Sequence, residues 1–199
     1  MEEARPLPTT VPRLLNAPNL LSLSRIAVAP LLIWLLTDPG RGAALCAAFA
    51  FFVACISDLL DGYLARRHGL ITRLGKFLDP LADKVLVISA LVMLAAMPDR
   101  LPRVPAWMVA LIAARELAVT GLRTIALDEG VVLGAESLGK AKMTFEVIAL
   151  HGLLVHYTYF GLLDFHAAGM VFLWIALALA LWSAVIYHLR LARVLYARG

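Results

Sequence analysis

Charged residues are scarce in this chain, and their scarcity excludes an ordinary soluble domain. Asp, Glu, Lys and Arg make up 16% of the 199 residues, whereas 62% are hydrophobic. Average soluble domains are about 25% charged and nearer half apolar. With a mean hydropathy of +0.85, the composition predicts an integral membrane protein with most of its length in lipid. In such a protein, a charged side chain inside an apolar run is costly and therefore informative.

Cysteine is nearly absent as well, with only Cys46 and Cys55 in the chain. They are too far apart along one predicted helix to form a disulfide, and both are predicted to be small buried hydrophobes.

The N-terminus lacks the pattern of a cleaved signal peptide, so the first spanning helix is expected to direct insertion. The net charge of +4 suits anionic head groups and phosphorylated substrates. Because the basic residues cluster at helix ends, no nucleic-acid partner is predicted.

Six apolar runs, each close to the ~20 residues that a bilayer requires, predict six transmembrane helices in an all-α, polytopic membrane protein. The runs lie at about 20–36, 43–65, 77–97, 106–127, 138–157 and 166–189. Residues 1–19 are predicted to form a polar tail and a short interfacial helix, and residues 20–199 the membrane domain. Basic residues concentrate on the side that holds both termini, which predicts a cytoplasmic location for that side.

Four aspartates lie between the second and third apolar runs, in the stretch D-L-L-D-G-Y-L-A-R-R-H-G-L-I-T-R-L-G-K-F-L-D-P-L-A-D. Asp58 and Asp61 are three residues apart, and Asp79 and Asp83 are four apart. On helices, these spacings put each pair on one face, about 4.5 and 6 Å apart along the axis. Four converging carboxylates would repel one another, and one or two Mg2+ ions would resolve the repulsion. The alternative is a solvated loop at the membrane boundary, which explains poorly why the acids are in register.

The pattern D-x2-D-G-x2-A-R-x8-G-x3-D-x3-D in this stretch resembles the signature of the CDP-alcohol phosphotransferase family. Every fixed position matches: Asp58, Asp61, Gly62, Ala65, Arg66, Gly75, Asp79 and Asp83. The resemblance implies a six-helix membrane fold that joins an alcohol to a phosphate from a CDP-linked donor and releases CMP. It also implies a homodimer. The asymmetry of the basic residues predicts that the site faces the cytoplasm, in the cytoplasmic (inner) membrane.

The resemblance further implies a role for each motif residue. Two metal ions, Mg2+ or alternatively Mn2+, would be held by the four aspartates, with Asp83 also acting as general base. The cytidine nucleotide would be held by Asp61, Gly62, Ala65, Arg66, Thr72 and Gly75.

A second group of charges lies in the fourth and fifth helices. Arg115 and Arg123 are about two turns apart, and Lys140 and Lys142 follow at the start of the next helix. Together they predict a pocket for a phosphate dianion. The alternatives are a structural Arg115–Glu116 pair and lysines that only anchor a helix end.

The strings A-R-E-L-A-V-T-G-L-R and G-K-A-K-M-T resemble the phosphatidylglycerophosphate synthase branch of that family. This resemblance implies CDP-diacylglycerol as donor and glycerol 3-phosphate as acceptor. Met143, and Glu146 where glutamine is common, depart from the branch pattern. Inositol phosphate, phosphatidylglycerol or serine would be the alternative acceptors. A divalent-cation or proton transporter is the alternative from a different class, although the acids lie at one membrane face and no inverted repeat is found.

Overall fold

The computed structural model describes residues 17–38, 40–68, 73–97, 102–128, 137–159 and 163–196, with side chains described for 22–38, 40–60, 80–97, 102–126, 138–158 and 163–193. These residues form six α-helices: α1 Ala17–Leu36, α2 Arg41–His68, α3 Arg73–Ala96, α4 Ala106–Asp128, α5 Ser137–Val155 and α6 Phe165–Tyr196. A short antiparallel ladder, β1 Thr158–Tyr159 with β2 Leu163–Asp164, connects α5 to α6. The predicted all-α class is therefore confirmed.

Local hydrogen bonds fix where two of the helices begin. The Oδ1 atom of Asp38 accepts a hydrogen bond from Gly40 N at 2.7 Å, in the turn before α2. The Oδ1 atom of Asp164 accepts one from Ala167 N at 2.9 Å, which makes Asp164 the N-cap of α6. His166, where the sixth run was predicted to begin, is buried in the first turn of this helix.

The helices pack around one apolar core. Helix α1 lies against α2 and α3, α5 lies against α2, α3 and α6, and α4 bridges α3 and α6. Fully buried side chains from five helices meet there: Leu32, Phe51, Leu91, Met108 and Leu150. This arrangement brings the charged end of α2, the start of α3 and the start of α5 together on one side of the bundle.

A close helix crossing joins α5 to α6 through two glycines. A Cβ atom added to Gly152 would lie 2.9 Å from the carbonyl oxygen of Phe165 and 3.0 Å from the Cα of Gly169. One added to Gly169 would lie 2.8 Å from the backbone nitrogen of Leu153. Small residues at such crossings let two backbones approach closely, which is a common way to pack helices in membranes.

Gly169→Ala is therefore expected to destabilise the protein by about 1–3 kcal/mol, because the added methyl group overpacks a contact made with rigid backbone. The measurement is unfolding in detergent followed by circular dichroism. Gly121→Ala is the matched control, since an added Cβ at Gly121 meets no atom within 4 Å. The control should keep or slightly raise stability, because alanine is the better helix former. Equal stability of the two variants would contradict a close crossing at Gly169.

The surface of the bundle is rich in large apolar side chains. Trp34 is 69% exposed, Leu59 71% and Leu117 67%, and apolar surface this extensive is unusual for a soluble monomer. Among the described residues, the segments Arg41–Leu60 and Phe165–Arg193 are long and apolar enough to cross a membrane. Helices α4 and α5 contain several charged residues, which lowers their hydropathy.

The predictions for the two cysteines and for the N-terminal interfacial helix have different outcomes. Cys46 is exposed on the apolar surface and Cys55 is only partly buried, so the prediction that both are buried was wrong. Cys46 lies on the outward face of α2, where a lipid-facing residue would also be apolar. The predicted interfacial helix falls mostly on residues 1–16, outside the described part of the chain.

Candidate active site

Asp58 and Asp83 line one cavity, although they come from different helices. This cavity of about 350 Å³, here called the Asp58 cavity, lies between α1, α2, α3 and α5. Its polar lining residues are Arg25, Asp58, Asp83, Lys140 and Thr144. Because α1 packs against both α2 and α3, the first residue of the acidic motif and the last lie at the same end of the bundle.

Arg25 from α1 forms an ion pair with Asp58. Its guanidinium is almost fully buried, at 2% exposed, whereas the side chain of Asp58 is 32% exposed. An arginine inside an apolar helix requires a charged or polar partner, and Asp58 provides one. The pair fixes the orientation of Asp58 while leaving part of its carboxylate accessible from the cavity.

Several predicted site residues lie outside the described side chains. Thr72 is outside the described residues altogether. The backbone of the other six is helical, at the end of α2 or the start of α3, but their side chains are not described: Asp61, Gly62, Ala65, Arg66, Gly75 and Asp79. Their predicted roles in metal and nucleotide binding stay predictions.

A second cavity of about 290 Å³, here called the Glu146 cavity, adjoins the first. Asp83, Lys140, Met143 and Val147 line both cavities. The charged residues that line the second cavity are Asp83, Lys84, Arg115, Glu116, Arg123, Lys140, Lys142 and Glu146. All four residues predicted to bind the acceptor phosphate therefore lie on one cavity, next to Asp83.

Arg115 and Lys142 are already engaged by protein groups. The Nη1 atom of Arg115 donates to Glu116 Oε1 at 2.6 Å, its Nη2 donates to Ser183 Oγ at 2.6 Å, and its Nε donates to the carbonyl of Ala180 at 3.1 Å. The Nζ of Lys142 contacts Glu116 Oε1 at 2.7 Å. These bonds tie α4 to both α5 and α6.

Glu146 completes this buried network. It forms an ion pair with Lys142 through Oε2 and is only 3% exposed. Its other carboxylate oxygen, Oε1, has no hydrogen-bond partner within the described part of the chain. A buried acceptor without a partner is costly and calls for an explanation, and a donor group on a bound ligand would provide one.

Arg123 and Lys140 differ from Arg115 and Lys142, which bind protein carboxylates. Both side chains are exposed, and neither forms an ion pair with any of the described side chains. Cationic groups on the wall of a cavity are suited to contact a bound phosphate directly. All four predicted cations thus line this cavity, but only Arg115 and Lys142 also pair with protein carboxylates.

Sequence reasoning missed several contacts within the site. The Arg25–Asp58 pair joins separate helices and has no local signal. The Lys142–Glu146 pair has the i, i+4 spacing of a helical ion pair, so the sequence could have predicted it. Ser183, which accepts from Arg115, lies in a uniformly apolar helix and had no distinguishing pattern.

The described carboxylate oxygens at the site are chemically suitable ligands for a hard divalent cation. Asp58 and Asp83 offer carboxylate oxygens at one cavity, and oxygen is the ligand that Mg2+ prefers. Among the described residues, no group of three or more His, Cys, Asp or Glu side chains is placed to hold a metal ion. A complete ligand set would therefore need Asp61 and Asp79, whose side chains are not described.

Comparison with known proteins decides the family. The model of the family described as CDP-alcohol phosphatidyltransferase matches residues 15–182, which is most of the chain and includes every described residue of both cavities. The chain belongs to the CDP-alcohol phosphatidyltransferase family. The matched range spans α1 to the greater part of α6, so the family resemblance extends well beyond the acidic motif.

Three individual relatives show which members of the family this chain is similar to. The chain is 41% identical over 184 residues to a CDP-diacylglycerol–glycerol-3-phosphate 3-phosphatidyltransferase of Bacillus subtilis, covering 86% of this chain and 89% of the relative. It is 35% identical over 172 residues to the enzyme of the same name from Rickettsia typhi, covering 86% and 94%. It is also 32% identical over 196 residues to a CMP-forming cardiolipin synthase of Oryza sativa, covering 92% and 60%.

Proposed function

We propose that this chain transfers the phosphatidyl group of CDP-diacylglycerol to glycerol 3-phosphate, giving phosphatidylglycerophosphate and CMP. The observation that supports this most directly is the pair of adjoining cavities with Asp83 in the wall between them. One cavity is lined by Asp58 and Asp83 of the acidic motif, and the other by the four cations. The names of the Bacillus and Rickettsia relatives favour the same donor and acceptor.

Asp83 is the proposed general base. It lines both cavities, so its carboxylate is placed to take a proton from an acceptor in one while a donor occupies the other. In the reaction, Asp83 accepts the proton of the 1-hydroxyl, and the hydroxyl oxygen bonds to the phosphorus that bears diacylglycerol. The bond between that phosphorus and the oxygen of CMP breaks, and CMP leaves with the electron pair.

Asp58, Asp61, Asp79 and Asp83 would hold two Mg2+ ions, with Mn2+ as the alternative. When bound, the ions would neutralise the donor diphosphate and the departing CMP. Arg25 fixes the direction of Asp58 through their ion pair, so this ligand is already oriented. Gly62, Ala65, Arg66, Thr72 and Gly75, with Asp61, are proposed to hold the cytidine nucleotide.

The acceptor phosphate is proposed to bind in the Glu146 cavity. Arg123 and Lys140 face that cavity and would contact the phosphate directly. Arg115 and Lys142 also line it, and their bonds to Glu116 hold them in place. A phosphate dianion suits this set of four cations better than serine, which has no phosphate.

We propose that all six helices cross the membrane, with the site at the cytoplasmic face of the inner membrane. The exposed apolar side chains and the two helices that meet the length and composition of a span support this placement. The basic ends of α5 and α6 lie on the same side as the site, as cytoplasmic segments would. The homodimer and the interfacial helix are proposed from the family resemblance alone.

Purified protein in detergent should release CMP from CDP-diacylglycerol when Mg2+ and glycerol 3-phosphate are both present. Inositol phosphate, serine and phosphatidylglycerol, each supplied separately, should give no release. EDTA should abolish the reaction and excess Mg2+ should restore it, because the metal neutralises the leaving group. Chromatography of the released nucleotide and of the lipid product gives the measurement.

Other outcomes would show which part of the proposal is wrong. Release with phosphatidylglycerol instead, as the name of the Oryza relative suggests for that protein, would keep the chemistry and overturn the acceptor. Release that persists in EDTA would overturn the metal. An absence of release with every acceptor, from protein that remains folded, would contradict the proposed reaction.

A further inference from the structure

A third cavity, here called the Arg41 cavity, lies at the other end of the helices and measures about 750 Å³. It is formed by the start of α2, the segment before α4, the segment after α5 and the start of α6. Along α2, Arg41 and Asp58 are separated by ~26 Å at about 1.5 Å per residue. This distance is close to the ~30 Å thickness of the hydrocarbon core of a bilayer. The cavity therefore belongs to the membrane face opposite the active site.

Among the described side chains that line the Arg41 cavity, basic groups outnumber acidic ones. Arg41 and Arg103 contribute two exposed guanidinium groups, whereas Asp164 is the only described carboxylate on the wall. The Oδ1 atom of Asp164 already accepts a hydrogen bond from the backbone of α6. Three helices begin at this cavity, α2, α4 and α6, and helix N-termini add partial positive charge.

The wall of this cavity is built from side chains that contact one another. The guanidinium carbon of Arg41 lies 5.1 Å from the centre of the Tyr157 ring, in the geometry of a cation–π contact. His156 and His166 are both buried, and their Nδ1 atoms are 3.1 Å apart. His156 has a φ of 62°, a conformation that non-glycine residues keep only where the surroundings impose it.

Exposed tryptophans indicate the level of the Arg41 cavity along the membrane normal. Trp34 at the end of α1 and Trp107 in the first turn of α4 are exposed at the same end of the bundle. The ring of Trp107 contacts that of Trp174 from α6, with 5.5 Å between centres. Exposed tryptophans typically lie at the level of lipid head groups, so the Arg41 cavity opens where head-group phosphates are found.

We propose that the Arg41 cavity binds the phosphate of a lipid head group in the leaflet opposite the active site. Guanidinium groups are well suited to phosphate because their planar donors pair with two of its oxygens. Tyr157 orients one of the two arginines, and the histidine pair forms the buried wall behind them. The inference rests on the membrane placement proposed above, but it does not require the proposed catalytic reaction.

The test is a titration of the purified protein in uncharged detergent with two probes, phosphatidylglycerol with six-carbon chains and inorganic phosphate. Calorimetry gives the affinity, and the imidazole NMR signals of His156 and His166 report binding at this cavity. In the Arg41→Gln/Arg103→Gln variant, the affinity for the lipid should fall at least about tenfold. Arg41→Lys/Arg103→Lys should keep part of the affinity, because it retains the charge without the planar fork.

Two controls separate this cavity from the active site. The Arg123→Gln/Lys140→Gln variant should bind the lipid as the wild type does and show the same imidazole shifts. The Arg41→Gln/Arg103→Gln variant should release CMP at the wild-type rate, which also shows that it folds. Arginine-dependent binding without any CMP release would support this site while the proposed reaction fails.

The remaining outcomes count against the proposal. Binding of inorganic phosphate alone, lost in Arg41→Gln/Arg103→Gln, would overturn the lipid as the source of the phosphate. Equal lipid affinity in the wild type and that variant would overturn the site. An absence of binding and of imidazole shifts with both probes would do the same.

Discussion

Replacing Asp83 with asparagine is expected to lower the rate of CMP release by about 10²–10⁴-fold, the usual contribution of a general base. Asparagine keeps the size of the side chain and loses the ability to accept a proton. Because Asp83 lies on the wall that both cavities share, its loss should slow turnover while CDP-diacylglycerol still binds. The measurements are steady-state CMP release and donor binding by calorimetry.

Asp38→Asn is the matched control for this prediction. Asp38 lies in the turn before α2, at the end of the helix remote from Asp58, so its variant should retain wild-type turnover. Near-normal turnover in Asp83→Asn would remove Asp83 from the role of base. A loss of donor binding in that variant would instead make Asp83 chiefly a ligand for the donor or its metal.

Lys142→Met is expected to destabilise the fold by about 3–5 kcal/mol, the usual cost of removing one partner from a buried ion pair. The side chain of Lys142 is 7% exposed and that of its partner Glu146 is 4% exposed. Without the lysine, Glu146 would keep a buried charge with no ion partner among the described residues, whereas Glu116 would retain Arg115. Chemical unfolding in detergent, followed by circular dichroism, measures the change.

Lys140→Met is the matched control, two residues earlier in the same helix. Lys140 is exposed, so its substitution should change stability by no more than about 0.5 kcal/mol. It should instead raise the KM for glycerol 3-phosphate about tenfold, the size expected for one lost bond to a charged group. Adding Glu146→Leu to Lys142→Met should recover much of the stability, because the unpaired charge is removed. Similar stability of the two single variants would contradict the buried network.

The sequence predicted the helices well because each apolar run has the length of a span. The six predicted runs correspond to α1–α6, with boundaries that differ by a few residues at several ends. One difference lies after α5, where the helix ends at Val155 and the chain turns at His156 with a positive φ. That turn brings His156 to His166, a contact that no periodicity in either helix predicts.

The sequence grouped four cations as one set, and the structure places all four on the Glu146 cavity, but their pairing was not predicted. Spacing along a helix predicted that Arg115 and Arg123 share a face, and both line that cavity. The contacts of Arg115 and Lys142 with carboxylates and with Ser183 depend on how α4, α5 and α6 cross. Those crossings are set by close packing, such as that of Gly152 on Gly169, and a one-dimensional pattern does not specify them.

Asp83 lines both cavities, and this has a consequence for the order of steps in the proposed reaction. With donor and acceptor in adjoining spaces, the phosphorus passes directly from one oxygen to the other, and no residue needs to take the phosphatidyl group in between. The proposed reaction therefore proceeds through a ternary complex, so neither substrate alone should give a partial turnover. A single displacement also reverses the handedness at phosphorus, so a chiral donor would yield a product of inverted configuration.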